Sequence, residues 1–98
     1  MTITKNLNGS SLEIAVEGRL DTMTAPELEA ELKAMPEGAE SLTLDFSKLD
    51  YISSAGLRVL LSAHKAMSGK GGMKVTNVNE IVREVFDVTG FSDILVIE

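Results

Sequence analysis

The spacing of apolar residues changes several times along this 98-residue chain, and the order of those changes limits the fold more than any other feature. Side chains alternate between two faces in segments 3–7 and 12–16, on either side of Asn8-Gly9, which predicts a β-hairpin. The hairpin loop contains at least the two residues Asn8 and Gly9. It could be longer, because Ser10-Ser11 follow. After the hairpin, helix-like and strand-like segments follow one another, which is typical of parallel strands joined by right-handed crossovers.

Three further strands follow the hairpin. The fourth and fifth cover residues 73–76 and 94–97. The inward positions of the third strand, which we expect to end at Phe46, are Leu42, Leu44 and Phe46. A strand covered by helices on both faces would be apolar throughout, whereas Thr43 and Asp45 are polar. We therefore expect the helices mainly on one face of the sheet.

Three helices connect these strands. The first begins at a capping box formed by Thr24 and Glu27 and ends at Pro36. The second covers 54–67, and the third begins at Asn79, a favourable N-cap. The apolar side of the third helix is formed by Ile81, Val82, Val85 and Phe86. The predicted fold class is α/β, a single-layer, small, mostly parallel mixed sheet with an N-terminal hairpin and helices mainly on one face.

Composition excludes several kinds of protein. The chain is 44% hydrophobic, which predicts one globular domain over residues 1–98. A net charge of −6 argues against nucleic-acid binding, and the absence of cysteine excludes thiol chemistry and Cys-ligated metals. No apolar run is long enough for a membrane span or a signal peptide, so we expect a cytoplasmic protein that does not bind a membrane. We expect no cofactor and no metal of its own.

The most informative segment lies between the third strand and the second helix. There Ser53-Ser54 precede Ala55-Gly56 at the predicted helix start. The simplest interpretation is that one serine is an N-cap, since its oxygen can accept a hydrogen bond from an early helix N–H. The second serine is then surplus. A hydroxyl in this position also lies in the positive field of the helix N-terminus, where a phosphate would be favoured.

Other polar residues have structural and functional interpretations. Asp21 is either a carboxylate that stabilises the start of the first helix or a contact residue. Arg58, Ser62 and Lys65 form a polar stripe, which is either a solvated helix face or part of a binding surface. His64 lies ten residues after Ser54, about 15 Å along a helix, too far to act as the base of a serine hydrolase.

Two apparent ligand sites are rejected on the same grounds of spacing and order. The segment 69–72 contains Gly-Lys-Gly-Gly, but it connects a helix to a strand and lacks the Ser or Thr of a phosphate-binding loop. Asp45 and Asp50 have no third ligand nearby in the sequence, so a metal site is unsupported.

The central run resembles the signature of the STAS-domain anti-sigma factor antagonists. It covers residues 45–60, D-F-S-K-L-D-Y-I-S-S-A-G-L-R-V-L. Upstream, residues 18–21 match the family's G-x-L-D, and 42–45 match its central strand. Residues 82–91 resemble the last helix of the family and the turn after it. The resemblance therefore extends over nearly the whole chain.

The resemblance implies a binding protein and not an enzyme. Family members bind an anti-sigma factor, usually a serine kinase that carries its own ATP and magnesium, and so release a sigma factor. The kinase phosphorylates one serine, which ends the binding, and a PP2C-type phosphatase restores it. By position that serine is Ser54. Many members have Asp at the preceding position, and because this chain has Ser53 there instead, Ser53 is the second choice. The partner-binding residues implied are Asp21, Thr22, Met23, Ser53, Ser54, Ala55, Gly56, Arg58 and Ser62.

Two alternatives to this switch remain at the level of sequence. The chain could keep the fold and act as a non-phosphorylated STAS accessory subunit of a lipid-transport or signalling complex, since a fold does not determine a function. The sequence argues against a small hydrolase that uses Ser54, because no G-x-S-x-G segment surrounds that serine.

Overall fold

The computed structural model describes residues 1–98 as five strands and three helices. The strands are β1 Thr2–Asn8, β2 Ser11–Leu20, β3 Ser41–Ile52, β4 Met73–Thr76 and β5 Val96–Ile97. The helices are α1 Ala25–Lys33, α2 Ser54–Met67 and α3 Glu80–Thr89, and a short 3-10 turn covers Phe91–Asp93. The predicted order of elements is confirmed, and α2 has the predicted limits.

The sheet has the spatial order β1-β2-β3-β4-β5. β1 pairs with β2 antiparallel, and the other neighbours pair in parallel. Because each crossover steps in the same direction, right-handed connections place all three helices on one face. The hydrophobic core of 22 buried residues lies between that face and the helices. The expected fold class is confirmed, and no helix is long and apolar enough to span a membrane.

The opening hairpin turns one residue later than Asn8-Gly9 suggests. Asn8 pairs with Ser11, so the loop has two residues, Gly9 and Ser10. Gly9 has a φ of 62° and Ser10 does not have a positive φ. A positive φ at the first loop position alone is the pattern of a type II′ turn, which needs glycine there and accepts serine next.

The expectation that β3 ends at Phe46 is wrong, because the strand continues to Ile52. The polar residues that suggested a loop belong to two irregularities, where β3 carries extra residues relative to β2. Gly18 of β2 lies at the second of them with a φ of 104°, a conformation that disfavours side chains. Leu49 and Ile52 are buried on the helical face, so this second half of β3 contributes to the core.

Three smaller expectations are also wrong. α1 ends at Lys33, ahead of Pro36, and β5 begins at Val96 instead of residue 94. Ile81 is 61% exposed although it was assigned to the apolar side of α3. Successive helix residues are rotated by about 100° around the helix axis. Because Val82 faces the core, the Ile81 side chain points away from it.

Candidate functional site

The two segments predicted to bind a partner meet at one end of the sheet. Leu20 and Ile52 are paired as the last residues of β2 and β3. The Ser53 backbone N–H donates to the Leu20 carbonyl at 2.9 Å. The loop before α1 and the start of α2 therefore lie side by side, because parallel neighbouring strands end at the same edge of the sheet.

The two serines at the start of α2 have different environments. Ser54 is the first residue of α2 and is exposed. Ser53 is the N-cap, yet its side chain makes no capping hydrogen bond, and its Oγ is buried without a hydrogen-bond partner in the protein. A second protein can reach the Ser54 hydroxyl directly, whereas the Ser53 hydroxyl requires local opening.

Gly56 corrects one of the predicted contacts. It is buried, and a Cβ at this position would lie 2.8 Å from both Ile52 Cγ1 and Leu20 Cγ. Both neighbours belong to the core, so they have little room to move. Gly56 is therefore not available for contact with a partner. It instead allows α2 to approach the ends of β2 and β3 closely, which fixes the position of Ser54.

Asp21 organises the loop between β2 and α1. Its Oδ1 accepts hydrogen bonds from the backbone N–H groups of Met23 at 3.0 Å and Thr24 at 3.2 Å, while its own N–H donates to Thr24 Oγ1 at 2.8 Å. Partial desolvation raises the pKa of the Asp21 carboxyl, but hydrogen bonds from Thr24 and Met23 and the charge of Arg19 outweigh it and lower the pKa. The carboxylate is therefore ionised at neutral pH.

The same hydrogen bonds explain why the expected capping box does not form. Thr24 is the N-cap of α1, but its hydroxyl donates to the Arg19 carbonyl at 2.7 Å and makes no capping bond. Thr24 thereby connects the end of β2 to the start of α1. Between them, Thr22 is exposed and the Met23 side chain is 84% exposed. The loop is thus fixed in shape while it presents an apolar side chain to solvent.

A shallow groove continues this surface between α1 and α2. Its cavity of about 390 Å³ is lined by Thr22, Ala25, Pro26, Glu29, Ala55, Arg58, Val59 and Ser62. Four of these, Ala25, Pro26, Glu29 and Val59, were not predicted as site residues. Nothing in the local sequence distinguishes them, because the groove exists only after α1 and α2 pack. We use the name loop–α2 surface for Asp21, Thr22, Met23, Ser54, Ala55, Arg58 and Ser62.

The remaining candidates lie apart from this surface or carry no chemistry. His64 is partly buried in the same helix as Ser54, two to three turns further on. Asp45 accepts a hydrogen bond from the Asn77 side chain at 3.0 Å, and no group of three potential metal ligands exists. The loop–α2 surface exposes the apolar side chain of Met23 together with the polar side chains of Ser54 and Arg58, a mixture suited to contact with another protein.

Comparisons with known proteins bear on the family and the fold of the chain. A family model described as Mlab, STAS domain matches residues 3–97. A Bordetella bronchiseptica protein named as a candidate anti-sigma factor antagonist, BtrV, is 38% identical over 96 residues, which cover 96% of this chain and 83% of that protein. The anti-sigma-B factor antagonist of Bacillus subtilis is 30% identical over 89 residues, covering 90% of this chain and 82% of the relative.

One similar solved structure is that of SpoIIAA, an anti-sigma factor antagonist and Bacillus cell fate determinant. In its unphosphorylated form it matches with a TM-score of 0.82 and 20% identity, covering 99% of this chain and 88% of SpoIIAA. In its phosphorylated form the TM-score is 0.74, with 19% identity over 99% of this chain and 91% of SpoIIAA. At this level of identity the match concerns the fold alone.

Proposed function

The chain belongs to the STAS-domain family, and from that membership we propose that it is an anti-sigma factor antagonist switched by phosphorylation of Ser54. Unphosphorylated, it binds an anti-sigma factor through the loop–α2 surface and so releases a sigma factor. Relatives at 38% and 30% identity carry the antagonist name, which supports this role over an enzymatic one.

The observation that carries the proposal is the exposure of Ser54 beside the Asp21–Met23 loop. A kinase must reach the hydroxyl, and a partner must contact the same place for the modification to matter. Ser54 meets the first requirement and Ser53, whose Oγ is buried, does not. The hydrogen bond from Ser53 to Leu20 supports the second, because it holds the loop and the helix start together as one surface.

A phosphate at Ser54 would change this surface without unfolding the domain. The group adds about −1.5 to −2 charges, and the start of a helix is a favourable place for them. In a packed interface the same dianion would have to be desolvated. Each roughly 1.4 kcal/mol of that cost lowers the affinity tenfold. Phosphorylation can therefore end binding while the fold stays intact.

The partner that this role requires is an anti-sigma factor of the serine kinase type, with ATP and Mg²⁺ bound to the kinase. A PP2C-type phosphatase would reverse the modification. No group of three His, Cys, Asp or Glu residues in this chain is arranged to hold a metal ion. In this proposal the nucleotide and the metal belong to the kinase, as the family resemblance implies.

The proposal is tested by intact-mass measurement after incubation with ATP and the purified anti-sigma factor of the same organism. We expect one added phosphoryl group on the wild type and on Ser53→Ala, and none on Ser54→Ala. Calorimetry should then give wild-type affinity for Ser54→Ala and at least tenfold weaker binding for Ser54→Asp. Equal affinities of the wild type, Ser54→Ala and Ser54→Asp for the anti-sigma factor would contradict the switch.

A second candidate is a non-phosphorylated STAS accessory subunit of a lipid-transport or signalling complex. The description of the matching family model, which names Mlab and no antagonist, favours it. In that role the loop–α2 surface would bind its partner constitutively. A chain that remains unmodified beside an active kinase, yet forms a stable complex that Ser54→Asp weakens, would support this candidate.

A further inference from the structure

The basic and acidic residues of this chain are unevenly distributed. Residues 51–79 contain four of the nine basic residues and none of the 15 acidic ones. The rest of the chain therefore holds five basic against 15 acidic residues, a net charge of −10, while residues 51–79 carry +4. α2 occupies the first half of this basic segment, so Ser54 begins a positively charged helix in an acidic protein.

Arg58 is the arginine of this segment, and it has no ionic partner. The other two arginines are paired, Arg19 with Asp21 and Arg83 with Asp87. Arg58 is exposed and lines the groove between α1 and α2. The one acidic residue in the lining of that groove is Glu29, which is already paired with Lys33 at 3.0 Å. The guanidinium is thus available to a group from outside the chain.

Ser54 and Arg58 are four residues apart on the outward face of α2. Side chains at this spacing lie about 5–6 Å apart at their Cβ atoms, and the favourable order for an ion pair has the anion on the N-terminal side. A phosphate on Ser54 would be the N-terminal anion. Arginine also matches the geometry of phosphate oxygens better than lysine does, because it can donate two parallel hydrogen bonds.

We propose that Arg58 is the residue through which phosphorylation of Ser54 acts, by an exchange of ionic partners. In the unphosphorylated chain Arg58 binds a carboxylate of the anti-sigma factor. In the phosphorylated chain the Ser54 phosphate captures the guanidinium within α2, so that the partner carboxylate loses its cation and meets a dianion instead. This inference rests on the proposed function, since it concerns the consequence of modification at Ser54.

The intramolecular half of the exchange can be tested without any kinase. Phosphoserine is incorporated at position 54 by an expanded genetic code, and its second pKa is followed by ³¹P NMR. We expect Arg58→Gln to raise that pKa by roughly 0.3 unit or more relative to the unsubstituted chain. Lys65→Gln is the matched control: Lys65 is exposed, also unpaired and in the same helix, but eleven residues from Ser54. It should leave the pKa unchanged.

The intermolecular half is tested by affinity for the anti-sigma factor. In the unphosphorylated chain Arg58→Gln should weaken binding roughly tenfold or more, and Lys65→Gln much less. Phosphoserine at position 54 should then weaken binding by a smaller factor in Arg58→Gln than in the wild type, because one of its two effects is already absent. Thermal unfolding of each variant checks that the exposed substitution leaves the fold intact.

The results separate this inference from the proposed function. An unchanged phosphate pKa in Arg58→Gln, or wild-type affinity of the unphosphorylated variant, would overturn the exchange while phosphorylation of Ser54 still stood. If instead the kinase leaves Ser54 unmodified but the incorporated phosphoserine pairs with Arg58, the proposed function fails and the pairing remains.

Discussion

The starts of α2 and α3 make an informative pair, because both helices follow a parallel strand and both N-caps have extended backbones. Asn79, at the start of α3, accepts a hydrogen bond from the Val82 N–H at 2.8 Å and donates to the Leu49 carbonyl at 2.8 Å. Ser53, at the start of α2, makes no side-chain cap and buries an unpaired hydroxyl. One helix start is satisfied and the other is not.

The difference indicates that the two starts serve different purposes. A satisfied cap stabilises a helix by about 1 kcal/mol, and the start of α3 has that benefit. The start of α2 has no side-chain cap. It is held instead by close packing at Gly56 and by the backbone hydrogen bond from Ser53 to Leu20. That arrangement leaves Ser54 exposed to solvent, as the proposed binding surface requires.

The largest expected effect concerns the packing that replaces the cap. Gly56→Ala introduces a methyl group 2.8 Å from Ile52 and Leu20, so α2 must shift or the core must adjust. We expect a loss of about 1–3 kcal/mol in the free energy of unfolding, the usual cost of overpacking. Urea denaturation followed by circular dichroism measures it.

The control is Gly69→Ala, since nothing lies within 4 Å of a Cβ at position 69 and its φ is not positive. We expect its free energy of unfolding to stay within about 0.5 kcal/mol of the wild type. If both variants were equally stable, close packing would not be what holds the start of α2.

The next effect compares the two N-caps themselves. Asn79→Ala removes both side-chain hydrogen bonds of the satisfied cap, which should cost about 1–2 kcal/mol. Ser53→Ala removes a hydroxyl that bonds to nothing in the protein, so the change should stay within about 0.5 kcal/mol in either direction. A larger loss for Ser53→Ala than for Asn79→Ala in urea melts would reverse the comparison.

The same contrast explains how much the sequence alone could predict. The N-cap of α3 and both limits of α2 follow from local patterns, and the structure confirms them. The pairing of Leu20 with Ile52 depends on two irregularities in β3, which no period-two pattern reveals. The loop–α2 surface could therefore be proposed from a family resemblance, whereas its groove and the burial of Gly56 required the packed structure.

The site residues divide in the same way. Serine is a favoured N-cap in any sequence, so local propensity assigns that role to Ser53 or Ser54 without distinguishing them. The distinction comes from tertiary structure, because the packed fold buries the Ser53 Oγ and leaves Ser54 exposed. The ion pairs that leave Arg58 unpaired likewise depend on which side chains the fold brings together.

The smallest expected effect is a dependence of the free energy of unfolding on pH, which arises from Asp45 at the turn before α3. Hydrogen bonds from the Asn77 side chain and the Ser47 backbone outweigh desolvation and lower the pKa of the Asp45 carboxyl. A carboxyl with a lowered pKa in the folded state stabilises the protein above its unfolded pKa, and this contribution is lost as the pH falls through the folded pKa.

Asp45→Asn should therefore lower the free energy of unfolding at pH 7, and the difference from the wild type should shrink as the pH falls below the ordinary Asp value of 3.8. Urea midpoints measured from pH 7 to pH 2.5 test this. Asp50→Asn is the control, because Asp50 is exposed and accepts no hydrogen bond from a side chain. A difference for Asp45→Asn that stays constant with pH would mean that Asn77 holds the turn before α3 by hydrogen bonding alone, without the charge of the carboxylate.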